Sequence, residues 1–247
     1  MTDTLTDATA LVTGASSGIG AATARELASR GANVVLSARR EERLETLAAE
    51  ITDDHGAEAV AHPTDVTDAV AVEALVDATV ERFGGLDVVV SNAGLGRTET
   101  AIEDLDLDAY RQMMDVNCDG MFHVARAAMP HLTECSGNLL FLGSMAGQYP
   151  RPGAPVYAAT KWWTRGFALS LQGSVGDAGV GVTVINPTEV RTEFGSEDGE
   201  QFADAIDPGE AAEPADVARA IAFAAAREDP NVVQELDLFR RDKFIDW

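Results

Sequence analysis

Short apolar runs alternate along this chain with longer stretches in which apolar positions recur every three to four residues. The first pattern reads as strand and the second as helix. Apolar runs at 8–12, 33–37, 57–61, 86–90, 138–142, 180–185 and 232–238 predict seven strands. Between them, residues 18–30, 41–51, 70–83, 107–132, 155–174 and 214–227 predict helices. In the second of these, Leu44, Leu47 and Ile51 fall on one face, and Gly31 closes the first. The strands are almost continuously Val, Ile and Leu, with little alternation with polar residues. Such strands are covered on both faces, and interleaved with helices they predict a parallel sheet. The expected fold is α/β: one doubly wound parallel sheet of about seven strands with helices on both faces. No linker, repeat or low-complexity segment interrupts the pattern. Residues 1–247 therefore read as one domain, with 1–7 as an N-terminal tail.

Composition narrows what the domain does. No stretch approaches the roughly 18 continuous apolar residues of a membrane span. The opening Met1-Thr2-Asp3-Thr4-Leu5-Thr6-Asp7 lacks a basic region followed by an apolar one. A cytoplasmic protein is expected. The formal net charge of −23 argues against nucleic acid or an anionic membrane as partner. The acids are dispersed, and two lysines stand against 16 arginines, a balance that resembles proteins of salt-loving archaea. Screening then removes most self-repulsion at high salt, and inactivation is expected below about 0.5 M salt. Full activity after prolonged dialysis into dilute buffer would refute this. Cys118 and Cys135 read as buried or incidental thiols, and neither they nor His55, His62, His123 and His131 show metal-ligand spacing. No metal is expected.

Three local patterns carry chemistry. Tyr157 and Lys161 stand four apart in a predicted helix, so phenol and ammonium share a face. A nearby cation favours the phenolate and makes the tyrosine a usable acid and base. The first strand runs into Thr13-Gly14-Ala15-Ser16-Ser17-Gly18-Ile19-Gly20 and then a helix. Glycines let that backbone approach a pyrophosphate, and the helix N-terminus offers free N–H groups. An acid after the second strand would bind the ribose 2′-hydroxyl of NAD, whereas a base suits the 2′-phosphate of NADP. The segment reads Ser37-Ala38-Arg39-Arg40, with no acid before Glu41. NADP(H) is expected, with Arg39 as main phosphate partner and Arg40 beside it; the alternative is two solvated arginines opening a helix.

With Asp65-Val66, Ser91-Asn92-Ala93-Gly94, Asn117, Ser144 and Asn186-Pro187 added in order, the chain resembles the short-chain dehydrogenase/reductase family over roughly residues 8–240. Residues 38–44 further resemble the branch holding NADP-dependent 3-hydroxy acid and serine dehydrogenases. The resemblance implies a Rossmann-like domain and an oxidoreductase interconverting a carbonyl and a secondary alcohol. It makes Tyr157 the proton donor or acceptor and has Lys161 lower the tyrosine pKa and bond the nicotinamide ribose. Ser144 would hold the substrate oxygen, and Asn117 a relay water. Asp65 and Val66 would contact adenine, and Asn92, Ala93 and Gly94 would line the adenosine ribose side. Pro187, Val190 and Thr192 would approach the nicotinamide. Taken singly, Ser144 is a loop serine and Asn117 a capping asparagine; together with the pair they form a tetrad.

Ser91 and Thr188 depart from the family's usual asparagine and glycine, so the backbone after Pro187 is expected to turn differently. Trp162 and Trp163 either bury against neighbouring helices or a subunit, or wall the site. Residues 188–213 read as a substrate lid. Arg151 is either a surface arginine or a clamp for a substrate carboxylate. The resemblance also implies a homotetramer or homodimer. A silent NADP-binding regulator on the same fold is the rival reading, and an epimerase or dehydratase is disfavoured by the short chain.

Overall fold

A computed structural model describes residues 4–97, 101–194, 202–228 and 230–242. Seven parallel strands form one sheet: β1 (Thr9–Thr13), β2 (Asn33–Ala38), β3 (Ala59–Pro63), β4 (Val88–Ser91), β5 (Asn138–Leu142), β6 (Gly181–Pro187) and β7 (Glu235–Leu238), in the order β3-β2-β1-β4-β5-β6-β7. Leu11 lies opposite Val35, Val89 opposite Leu139, and Ile185 opposite Leu236. Successive side chains leave a strand on opposite faces, and the apolar runs divide accordingly into two cores.

On one face Val12, Leu36, Val90, Leu140 and Ile185 pack under α1 (Gly18–Ser29), α2 (Glu41–His55) and α8 (Pro214–Ala225). On the other, Leu11, Val35, Val89, Leu139, Phe141 and Val184 pack under α3 (Ala69–Phe83), α5 (Gly120–Cys135) and α6 (Pro155–Val175). The remaining helices are α4 (Leu107–Met114) and the short α7 (Phe202–Ala205). The predicted doubly wound sheet is the observed one. Among the described residues, no helix is long and apolar enough to cross a membrane.

Several boundaries differ from those the apolar pattern predicts. Helix α2 continues to His55 and stops only at left-handed Gly56 (φ 68°), so β3 begins at Ala59, where it pairs with Val34. The single helix expected over 107–132 is α4 and α5 joined by a π turn, Asp115–Asp119, and runs on to Cys135. Strand β7 starts only at Glu235, opposite Val184. Within the N-terminal tail expected over 1–7, Leu5 is buried in the core and its N–H donates to the Arg30 carbonyl at 2.9 Å. Residues 1–3 lie outside the described residues.

Candidate active site

In a doubly wound sheet the crevice opens at the carboxyl ends of the strands, where the order reverses. Here that point lies between β1 and β4, and a cavity of about 900 Å³ opens there. Of the residues singled out from the sequence, Gly14, Ser16, Ser17, Gly18, Ile19, Gly20, Arg39, Arg40, Asp65, Val66, Asn92, Ala93, Gly94, Ser144, Tyr157, Lys161, Pro187, Val190 and Thr192 all line it. Asn117 does not.

The glycine turn is clipped to the next strand. Gly14 adopts φ +66°, a region open to glycine, and a Cβ there would lie 2.8 Å from Asn92 Nδ2. Asn92 Nδ2 donates to the Thr13 carbonyl at 2.8 Å, and the N–H groups of Asn92 and Ala93 donate to Thr13 Oγ1 at 3.1 and 3.2 Å. Ser17 begins α1 without capping it, and the first turn carries no acid. The first N–H groups of α1 therefore lack an internal side-chain acceptor, an arrangement that suits an anion. Asp65 closes its own turn, accepting from Thr67 N at 3.0 Å and Thr67 Oγ1 at 2.8 Å.

At the end of β2, Arg40 reaches the phosphate turn. Arg40 Nε and NH2 donate to Ser16 Oγ at 3.0 and 2.8 Å, and NH2 donates to Ser17 Oγ at 2.7 Å. The partner missing from the sequence reading is Glu193. It accepts from Arg40 NH1 at 3.0 Å and, through both oxygens, from Arg43 NH1 at 2.9 and 2.8 Å. Partial burial raises the Glu193 pKa, but hydrogen bonds and charge from Arg40 and Arg43 win and hold it below the usual value.

At the opposite end, α6 carries Tyr157 and Lys161 as expected, and Ser144 follows β5 with its Oγ accepting from Ala146 N at 3.1 Å. Burial around the hydroxyl pushes the Tyr157 pKa up, while a hydrogen bond with Ser144 and the charge of Arg151 pull it down. The ring itself keeps some exposed surface. Lys161 is 3% exposed, and burial pushes its pKa down to about 8. Its Nζ donates to the Leu142 carbonyl at 2.8 Å and stands 5.8 Å from the Tyr157 ring centroid. The lysine thus shares a face with the tyrosine. Burial of the phenol outweighs the downward pulls of Ser144 and Arg151.

Asn117 sits behind this wall. It is wholly buried in the π turn, 3.3 Å from where a Cβ on Gly94 would lie. Its Oδ1 accepts from Leu95 N at 2.9 Å, and its Nδ2 donates to Leu95 O at 2.8 Å and to Thr160 Oγ1 at 3.1 Å. The side chain joins the loop after β4 to α6, using both Nδ2 hydrogens and one acceptor position of Oδ1.

The limb after β6 closes the cavity. Beyond Pro187 the Thr188 N–H donates to the Leu238 carbonyl at 3.2 Å, continuing the line of β6 beside β7. Its Oγ1 is buried without a hydrogen-bond partner on the cavity wall, a free polar atom of the sort a bound nucleotide amide satisfies. Val190 pairs with Ala212, and Phe194 lays its ring edge against Tyr157, centroids 5.6 Å apart at 61°. The limbs 188–194 and 202–213 belong to the expected lid; 195–201 lie outside the described residues. Arg151 lines the mouth, its NH1 4.0 Å from Glu189. Trp163 stacks on Phe167 at 4.8 Å, while Trp162 stays 46% exposed, and neither lines the cavity. With its bare glycine turn, two arginines and orphaned Thr188 hydroxyl, the cavity fits a dinucleotide.

Known proteins agree with this geometry. The profile of the short chain dehydrogenase family matches residues 8–202. Sulfoacetaldehyde reductase 2 of Chromohalobacter salexigens is 38% identical over 186 residues, covering 74% of this chain and 73% of that protein. Serine 3-dehydrogenase of Agrobacterium fabrum is 37% identical over 187 residues, covering 75% and 73%. Among solved structures, an alcohol dehydrogenase of the archaeon Thermococcus sibiricus, complexed with 5-hydroxy-NADP, superposes with a TM-score of 0.86 at 33% identity. That match covers 94% of this chain and 95% of the other.

Proposed function

The chain belongs to the short-chain dehydrogenase family, and from that premise we propose that it interconverts a small carbonyl compound and its alcohol with NADP(H), using Tyr157 as acid and base. The observation that carries this reading is a single cavity with Ser144, Tyr157 and Lys161 at one end and the glycine turn with Arg40 at the other. The nicotinamide, when bound, supplies or takes up the hydride.

The chain's own residues do the rest. In reduction Tyr157 gives its proton to the carbonyl oxygen, which Ser144 holds by a second hydrogen bond as negative charge develops. In oxidation the proton returns from the alcohol to Tyr157. A phenol whose pKa is raised keeps its proton at neutral pH and stands ready as the donor. Lys161 offers the cofactor ribose the ammonium hydrogens not used on Leu142. Asn117 is a positioning residue, fixing the Leu95 loop against α6. Arg40, with Arg39 on the same wall, holds the 2′-phosphate, and the relative complexed with 5-hydroxy-NADP supports a nicotinamide dinucleotide in this cavity.

Two relatives bear the names of substrates with an anionic end, a sulfonate in sulfoacetaldehyde and a carboxylate in serine. Arg151 at the cavity mouth is the cation placed to meet such a group. We extend the proposal to a homotetramer, in which Phe122 on α5 and Trp162 on α6, both exposed, are apolar side chains available for cover.

The test is an NADPH-oxidation screen over ketoacids, aldehydes, ketones and sugars at molar salt, with Tyr157→Phe as control. Turnover is expected to vanish in that variant while NADPH binding survives. A variant that still turns over removes Tyr157 from the chemistry. A wild-type protein that binds NADPH and reduces nothing is a silent regulator.

A further inference from the structure

Arg40, proposed to take a 2′-phosphate, already holds an anion, and the chain itself provides it. Glu193 reaches back across 153 positions to Arg40 and 150 to Arg43. Arg43 received no role from the sequence, yet its NH1 touches both carboxylate oxygens, at 2.9 and 2.8 Å. Arg40 meanwhile keeps its other nitrogens on Ser16 and Ser17, so its guanidinium stays aligned with the phosphate turn while one nitrogen serves Glu193. The three side chains remain 46%, 49% and 35% exposed for Arg40, Arg43 and Glu193. Exposed pairs of this kind hold weakly and exchange readily. Two residues earlier, Arg191 is tied by Nε to the Ile206 carbonyl at 2.8 Å and by NH1 to Glu213 at 2.9 Å. Glu193 therefore stands beyond a fixed point and is free to leave the arginines without moving the limb's root.

We propose that Glu193 sets the cofactor preference: it competes with the 2′-phosphate of NADP(H) for Arg40 and Arg43, and it offers NAD(H) a carboxylate acceptor for the ribose 2′-hydroxyl. The end of β2 supplies only bases, which by themselves select the phosphate. The limb after β6 brings the acid that ordinarily selects the hydroxyl. One site thus contains both determinants, and the enzyme discriminates less between the two dinucleotides than its arginines would dictate. Arg43 becomes a second phosphate ligand once Glu193 withdraws. This inference rests on the nucleotide reading of the cavity.

Calorimetric titration of the full chain at one fixed salt concentration tests it, with NADPH, NADH, adenosine 2′,5′-bisphosphate and ADP as ligands. Glu193→Gln keeps the size of the side chain and removes its charge. It is expected to tighten NADPH and the 2′,5′-bisphosphate about fivefold, the scale of one or two exposed ion pairs, and to leave NADH and ADP no tighter. Adding Arg43→Ala should return NADPH affinity toward the starting value. An unchanged NADPH-to-NADH ratio in Glu193→Gln, or an equal gain for both, overturns the inference. If the wild-type protein binds neither dinucleotide, the reading of the cavity fails and takes the inference with it. If it binds both and only the ratio refuses to move, the inference alone falls.

Discussion

Lys161 and Arg40 are cations on the wall of one cavity, and their surroundings make them opposite instruments. Lys161 is nearly sealed from water, gives one hydrogen bond to the Leu142 carbonyl, and is driven down to about 8 by burial. Arg40 is half open to solvent and shares itself among Ser16, Ser17 and Glu193. Removing water around Lys161 disfavours its charged form and brings its pKa nearer the working range, the kind of tuning found at acid–base centres. Leaving water in place makes each contact weak and exchangeable, which suits a site that must accept and release a nucleotide. One helix face and one loop serve chemistry, and the other end serves recognition.

The largest effect expected from breaking this contrast is at the sealed end. Lys161→Met should lower turnover by about a hundredfold or more, in the range of lost acid–base assistance, and should also alter stability. The folded pKa, about 8, lies below the ordinary 10.5, so between those values the unfolded chain binds more protons. Stability from this group therefore rises as pH increases through that window. Denaturant titrations between pH 8 and 9.5 should show a positive slope in the wild type that the methionine variant lacks. An equal slope in both would remove Lys161 as its source.

Activity should split by direction for a related reason. With Tyr157 held protonated by burial, reduction should persist through neutral pH and fall only in alkali, while oxidation, which needs the phenolate, should climb with pH. Rate profiles in both directions check this, and parallel profiles would contradict it.

Asn117→Ala asks whether the sealed end depends on the scaffold behind it. It strips the Leu95 N–H and carbonyl of their Asn117 side-chain partners at a part-buried site, so a stability loss of about 1–3 kcal/mol is expected by chemical denaturation. Turnover should fall with it while NADPH affinity holds. The smallest effect belongs to the open mouth. Arg151→Ala should raise KM several-fold for hydroxy acids or sulfonates and leave neutral alcohols alone. Equal changes on both substrate classes would return Arg151 to the surface.

Much of this was legible in the residues themselves. The seven apolar runs located every strand of the sheet, since a strand covered on both faces has no solvent side to interrupt it. Boundaries drifted where a stop signal lay elsewhere than the end of the apolar pattern, as at Gly56 before β3. The π turn at Asp115–Asp119 was invisible because one added residue in a turn leaves composition and helical content unchanged. Tyr157, Lys161 and Ser144 could be named in advance, and the structure brings them to one end of the cavity.

By itself the sequence determined the layered sheet, the glycine turn and the Tyr157–Lys161 pair, because periodicity and i, i+4 spacing are settled by the backbone within a few residues. Only the tertiary structure showed that Arg40 bridges to the turn, that Asn117 braces the loop after β4 against α6, and that an acid meets Arg40 and Arg43. Those outcomes depend on where the chain returns after 22 to 43 positions for Arg40 and Asn117 and 150 or more for Glu193, and on how much water it leaves around a charge when it does.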